Sequence, residues 1–281
     1  MNLKTKLKSL YLGTKFPDFV IIGAQKSGTT SLYHYLNSIQ NLRGSLRKES
    51  QFLITNEPIV NYVNEFKFSF NREIKYFEAS PEYLVNQNFP KRAFEVNEKM
   101  KLILLLRDPV DRAYSAWNMF KNIFDNNEQN LKFPFFYNRL TEEYKEKWLR
   151  FSSISDFHKT IEAEIQQLNS IDLENYIYDM PGVVYHGIYH IHLKRILNYF
   201  DLSQVHVINY SDFINNTKEE IEKLLDFIQI PFSQLDENVI NNNYLKGNYT
   251  AEIDGKSKLL LEDYFENHNI KLNELLNKKV F

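Results

Sequence analysis

The sequence predicts an α/β domain with a central, mostly parallel sheet flanked by helices. Three observations carry that reading. Asp18–Gly23 and Lys101–Leu106 are short, nearly continuous apolar runs, as strands covered on both faces are. Stretches with apolar residues at helical spacing lie between such runs, the alternation that builds parallel sheets. The first run ends in a glycine-containing turn that opens directly into a helix.

The elements follow in order. Asp18–Gly23 (Asp-Phe-Val-Ile-Ile-Gly) is the first strand. Thr29–Asn37 is a helix, with Leu32, Tyr35, Leu36 and, just beyond it, Ile39 on one face. Lys75–Glu78 is a strand running into Ser80-Pro81, and Lys101–Leu106 is the most apolar stretch, hence a central strand. Pro109 begins another helix, with Asp108 placed to cap it. Ile188–Tyr199 reads as a helix, Val205–Asn209 as a strand, and Thr217–Gln229 as a helix that stops before Pro231.

The chain of 281 residues is long enough to bury a sizeable core and shows neither an internal repeat nor a low-complexity linker. One domain over 1–281 is expected. Residues 1–16 form a lead-in and 125–150, rich in Phe, Tyr and mixed charge, form a candidate ligand-binding insertion, since aromatics stack on sugar faces, or a helical hairpin on the core. With 34 Lys+Arg against 36 Asp+Glu the net charge is −2, which argues against a nucleic-acid binder or a polybasic membrane anchor. There is no cysteine, so thiol nucleophiles, Cys-ligated metals and disulfide frameworks are excluded. No apolar run reaches the roughly 18 residues of a membrane span, and Met1–Leu12 lacks the pattern of a signal peptide. The cytoplasm is the default compartment.

Gly23-Ala24-Gln25-Lys26-Ser27-Gly28-Thr29-Thr30 is the most informative segment. A strand, a glycine-bounded turn and a helix start together aim backbone N–H groups and the positive end of a helix dipole at one spot, which suits a phosphate cradle; a glycine-containing βα turn with no ligand is the alternative. The two glycines have the spacing of a nucleoside-triphosphate loop, but Thr29-Thr30 follow Gly28 where that loop has Lys-Ser/Thr, and the lysine sits inside, at Lys26. A second constellation is Arg107-Asp108-Pro109-Val110-Asp111-Arg112-Ala113-Tyr114-Ser115. Arg107 ends the central strand, where open α/β sheets bind ligands, and Ser115 lies two helical turns on. An arginine fork and a hydroxyl can hold a second phosphate; a structural ion pair for Arg107 and quiet packing for Ser115 are the alternatives.

The two motifs together resemble sulfotransferases that use 3′-phosphoadenosine 5′-phosphosulfate (PAPS), particularly the branch of the heparan sulfate enzymes and their bacterial relatives. Pro17–Gly23 leading into Lys26–Leu32 is similar to that family's 5′-phosphosulfate loop, and Arg107–Ser115 to its 3′-phosphate motif. Phe77-Glu78-Ala79-Ser80-Pro81-Glu82-Tyr83-Leu84 resembles the branch's Glu-x-Ser/Thr-Pro-x-Tyr segment. Gly187-Ile188-Tyr189 and the loop Lys246-Gly247-Asn248-Tyr249-Thr250 are also family-like.

That resemblance implies a single domain akin to P-loop nucleotide kinases. It implies that Lys26, Ser27, Gly28, Thr29 and Thr30 cradle the 5′-phosphate and sulfonate. Arg107 and Ser115 would hold the 3′-phosphate, and Lys246, Gly247, Asn248, Tyr249 and Thr250 would close over the adenosine. Lys26 would stabilise the leaving 5′-phosphate oxygen without a metal, releasing 3′,5′-adenosine bisphosphate (PAP). The acceptor implied is a glycan or glycoconjugate.

The branch's general base is the Glu of a Lys-Glu-x-His-Phe-Phe-type segment, which points to Glu49 in Lys48-Glu49-Ser50-Gln51-Phe52-Leu53. Gln51 and Leu53 depart from that pattern, and Ala79 stands where some heparan enzymes have Lys. A solvated loop charge is the other reading of Glu49, in which case Glu78 is the next carboxylate to consider. His186, His190 and His192 lack a completing carboxylate, so no metal site is expected. Two other functions fit parts of the pattern. A P-loop kinase or NTPase would want Lys after Gly28 and a magnesium-binding carboxylate, for which Asp108 is the near fit. A catalytically silent nucleotide- or carbohydrate-binding module would keep the phosphate motifs alone.

Overall fold

The computed structural model describes residues 16–125, 156–176, 182–231 and 252–281. The expected insertion beyond Asp125, the lead-in before Phe16 and the loop Lys246–Thr250 lie outside the described residues. The chain divides into two compact units, Met1–Arg107 with Arg195–Lys246, and Asp108–Lys194 with Gly247–Phe281.

The first unit holds a five-stranded sheet: β1 (Phe19–Gly23), β2 (Leu42–Gly44), β3 (Lys75–Ala79), β4 (Lys101–Leu106) and β5 (Val205–Asn209). The order is β2-β3-β1-β4-β5 and every pair is parallel, as the uninterrupted apolar runs predict. From β1 the chain runs to the edge strand β2, returns inward to β3 beside β1, and then crosses to β4 on the other side. The carboxyl ends of β1 and β4 therefore form the switch point at which open α/β sheets open a crevice.

Helix α1 (Thr29–Asn37) lays Leu32, Tyr33, Tyr35 and Leu36 on Phe19, Ile21, Phe77, Ile103 and Leu105. After α2 (Phe89–Val96), the chain's later return adds α6 (Tyr210–Asn215) and α7 (Thr217–Phe227), whose Ile221, Leu224 and Leu225 join the same core. Two lysines at the start of their strands hold the end of α7: Lys75 Nζ donates to the Ile228 carbonyl at 2.6 Å and Lys101 Nζ to that of Phe227. Cations there satisfy orphan carbonyls at the negative end of the helix dipole.

The second unit contains α3 (Pro109–Asp125), α4 (Phe157–Asn169), most of α5 (Tyr189–Leu197) and α8 (Gly255–Leu276) around Val110, Ala113, Phe157, Ile161, Ile188, Leu261 and Phe265. Asp108 caps α3 as expected, its Oδ1 accepting the Val110 and Asp111 amides at 2.9 and 3.2 Å. A buried polar network orders the turn before α5. Glu164 accepts the amides of Val183, Val184 and Tyr185 at 2.8–3.0 Å, and the fully buried Arg112 donates to the Val183 carbonyl. Burial pushes the Glu164 carboxyl pKa up, while those amides and Arg112 pull it back.

Candidate functional site

The turn after β1 has the cradle shape its glycines predict. Gly23 takes φ 144 and Gly28 φ 88, and Lys26 between them is left-handed at φ 69. A Cβ on Gly28 would come within 3.2 Å of the Tyr210 ring, so strain and space both demand glycine there. The Ala24 amide donates to the Leu105 carbonyl at 2.7 Å, which fixes the turn to the carboxyl end of β4. Helix α1 then begins at Thr29 with no side chain capping its first turn. Ser27 is fully buried, and its hydroxyl has no hydrogen-bond partner among the described residues. An uncapped helix start beside a buried, unpaired hydroxyl is a donor set suited to an anion such as a phosphate or sulfonate. Lys26, Ser27, Gly28, Thr29 and Thr30 are thus gathered in one place.

Arg107, directly after β4, reaches this turn. Its Nη1 donates to the Lys26 carbonyl at 3.2 Å, and its guanidinium lies 5.0 Å from the centre of the Tyr210 ring. Tyr210 was not among the residues singled out in the sequence. It starts α6 immediately after β5, at the carboxyl edge of the sheet, and touches both Gly28 and Arg107. An aromatic residue directly after a predicted strand of this sheet was the signal available for it. Ser115 is buried on α3, in the second unit.

The segment carrying Glu49 docks at the same edge of the sheet. The Glu49 amide donates to the Ala79 carbonyl, at the end of β3, at 2.9 Å. Glu49 and Gln51 both adopt left-handed backbone, φ 62 and 53. The Glu49 side chain is 39% exposed and pairs with Lys48, so the carboxylate is open to solvent. Gln25, in the cradle turn, donates to Glu82 at 3.2 Å and ties the turn to the segment after β3.

Glu78 has a different environment from the one an alternative base requires. It is fully buried and accepts hydrogen bonds from Tyr62, from Ser80 at 2.5 Å and from Tyr83 at 2.8 and 2.9 Å. Burial raises its pKa, and the hydroxyls of Ser80, Tyr62, Ser50 and Tyr83 act against that rise. No acceptor can reach this carboxylate through that shell, so the fold withdraws Glu78 as a base.

Among the described residues no three His, Cys, Asp or Glu side chains come together as metal ligands. His192 Nε2 lies 2.9 Å from the Tyr185 carbonyl, and His190 packs instead against His268, ring centres 5.0 Å apart. Asp108, the near fit for a magnesium ligand, has one oxygen committed to the α3 cap.

The family model described as "Sulfotransferase domain" matches residues 16–253. The chain belongs to the sulfotransferase family. Among the relatives of this sulfotransferase, the membrane-associated sulfotransferase kil1 of Dictyostelium discoideum is 27% identical over 93% of this chain and 65% of its own length. Human heparan sulfate glucosamine 3-O-sulfotransferase 5 is 24% identical over 94% of the chain and 73% of its own length. The present chain thus spans about two thirds to three quarters of the length of these two relatives. Among solved structures, a sulfotransferase from Alicyclobacillus acidocaldarius superposes with a TM-score of 0.66 at 20% identity, covering 93% of this chain and 96% of that one, a likeness of fold. No helix among the described residues of the sulfotransferase is long and apolar enough to cross a membrane.

Proposed function

We propose that this sulfotransferase moves a sulfonate group from PAPS to a hydroxyl or amino group of a glycan acceptor. One observation carries the reading: the cradle Gly23–Gly28, with an internal lysine and a buried unpaired Ser27 hydroxyl, meets the Arg107 fork at the carboxyl edge of β1 and β4. In this reading Lys26–Thr30 hold the 5′-phosphosulfate and Arg107 the 3′-phosphate. Ser115 and Lys246–Thr250 are assigned to the cofactor by motif resemblance alone. The acceptor class follows from the heparan-type relatives.

The chemistry asks little else of the protein. The acceptor oxygen or nitrogen attacks sulfur in line as the bond between sulfur and the bridging 5′-phosphate oxygen breaks. The acceptor proton passes to the Glu49 carboxylate, and PAP leaves with the bridging oxygen's charge opposed by Lys26. Glu49 suits this role because it is solvent-open, while its backbone is pinned to Ala79.

Two measurements test the reading. PAP at a hundredfold excess over its dissociation constant should stabilise the protein by about 2.7 kcal/mol, whereas ADP at the same concentration should stabilise it much less. Equal thermal shifts would count against a 3′-phosphate site. A glycan acceptor screen with PAPS, read by mass spectrometry for sulfonate addition, tests transfer; no transfer to any acceptor class, with PAP bound, would favour a silent binding module.

A further inference from the structure

The Glu49 segment contains two left-handed non-glycine residues, a conformation that L side chains adopt at a cost. Something must hold it, and the hydrogen bonds identify what. The Gln51 amide donates to Ser80 Oγ at 3.1 Å, and the Ser80 hydroxyl in turn donates to Glu78 at 2.5 Å. The Leu53 amide donates to Tyr83 Oη at 3.1 Å, and the Tyr83 hydroxyl donates to Glu78 at 2.8 Å. The Phe52 amide lies 3.3 Å from Ser50 Oγ, itself a hydrogen-bond partner of Glu78. Tyr62 donates to the second Glu78 oxygen and stacks on Phe52, ring centres 4.6 Å apart.

The polarity of this cluster follows from its centre. The Gln51 and Leu53 amides can only donate, so the Ser80 and Tyr83 oxygens accept from them while their own protons turn inward to Glu78. A buried carboxylate thereby orients the Ser80 and Tyr83 hydroxyls that clasp the segment. We infer that Glu78 is a positioning residue for this reaction, holding the Glu49 carboxylate in place through Ser80 and Tyr83. The inference rests on the reading of Glu49 as the base.

Glu78→Gln tests it with little change in size. The amide must present an NH₂ to one of the hydroxyls, which reverses that hydroxyl and sets donor against donor at the Gln51 or Leu53 amide. Hydrogen–deuterium exchange resolved to single residues should show the Gln51 amide, the Leu53 amide or both exchanging about tenfold faster or more, with β1 and β4 amides unchanged. Unaltered protection at both amides would overturn the inference. Turnover on the acceptor found by the screen should fall about 10- to 100-fold in kcat with the donor KM held, the scale of a displaced reacting group.

A double-variant cycle separates positioning from general damage. If Glu78 acts through Glu49, then Glu49→Gln with Glu78→Gln is no slower than Glu49→Gln alone; losses that multiply refute it. Full activity in Glu49→Gln would refute Glu49 as the base, and with it the catalytic part of this inference, while the exchange data would still report whether Glu78 clasps the segment. Should Glu78→Gln fail to fold, Tyr83→Phe keeps the ring stacked on Phe89 and removes only the hydroxyl. It should speed exchange at Leu53 and leave Gln51 protected; no change at Leu53 refutes the clasp.

Discussion

Replacing Arg107 with lysine keeps the positive charge and removes the fork, which makes it a sensitive probe of the cradle. In the folded chain the guanidinium donates to the Lys26 carbonyl at 3.2 Å and makes a cation–π contact with Tyr210 at 5.0 Å. A partly buried hydrogen bond of this kind contributes about 1 kcal/mol, and a partly exposed cation–π contact about 0.5–1 kcal/mol. The hydrogen bond ties the guanidinium to Lys26, a left-handed residue, and Tyr210 holds the guanidinium that makes it. Losing them means that PAP must order the turn itself, which costs affinity. The sum, about 1.5–2 kcal/mol, corresponds to roughly a 10- to 30-fold weaker dissociation constant. Isothermal titration of Arg107→Lys with PAP measures it directly, and Arg107→Ala should be weaker still. A dissociation constant within about threefold of wild type would show that charge alone matters there, and that the Lys26 and Tyr210 contacts do not organise the site.

Three further outcomes follow from the same geometry. Lys26→Ala should cut turnover by about 100-fold or more, since it removes a preorganised charge at the leaving oxygen; near-normal rates would place that stabilisation elsewhere. Glu49→Gln should lower kcat by about 10² to 10⁴ and leave PAP binding intact, because Glu49 is assigned to the acceptor proton and not to PAP; loss of both would mean a disturbed fold. The third concerns pH. Burial, reinforced by His268 and Lys271, lowers His190 to about 4, and burial with Lys271 lowers His268 to about 4, against 6.5 for an ordinary histidine. A folded pKa below the unfolded one gives stability that is complete above about pH 6.5 and drains away as pH falls toward about 4. The melting temperature should therefore drop less between about pH 7.5 and about pH 5 in His190→Gln/His268→Gln than in wild type; parallel losses would remove the pair as the cause.

Where local pattern and burial coincide, the sequence was sufficient. Thr29–Asn37, Lys101–Leu106 and Val205–Asn209 are read from apolar spacing alone and stand in the structure with those bounds. Their periodicity records which faces are covered, and every residue needed to see it lies within a few positions. Helix ends are less legible. The helix expected to reach Gln229 stops at Phe227, where Gln229 turns left-handed and lysines 75 and 101 take the last carbonyls. The glycine spacing likewise predicts the tight turn between β1 and α1, where Gly23 and Gly28 take positive φ. Tertiary structure decided the rest. Leu42–Gly44 is a strand only because β3 lies beside it, and nothing in three residues announces that. Tyr210 belongs to the cradle because β5 delivers it next to Gly28, far away in sequence. Glu49 lies beside Ser50 and Glu78 two residues before Ser80, and nothing local separates the two carboxylates. The fold leaves one in water and encloses the other among four hydroxyls, because burial of a charge depends on what packs around it from distant parts of the chain.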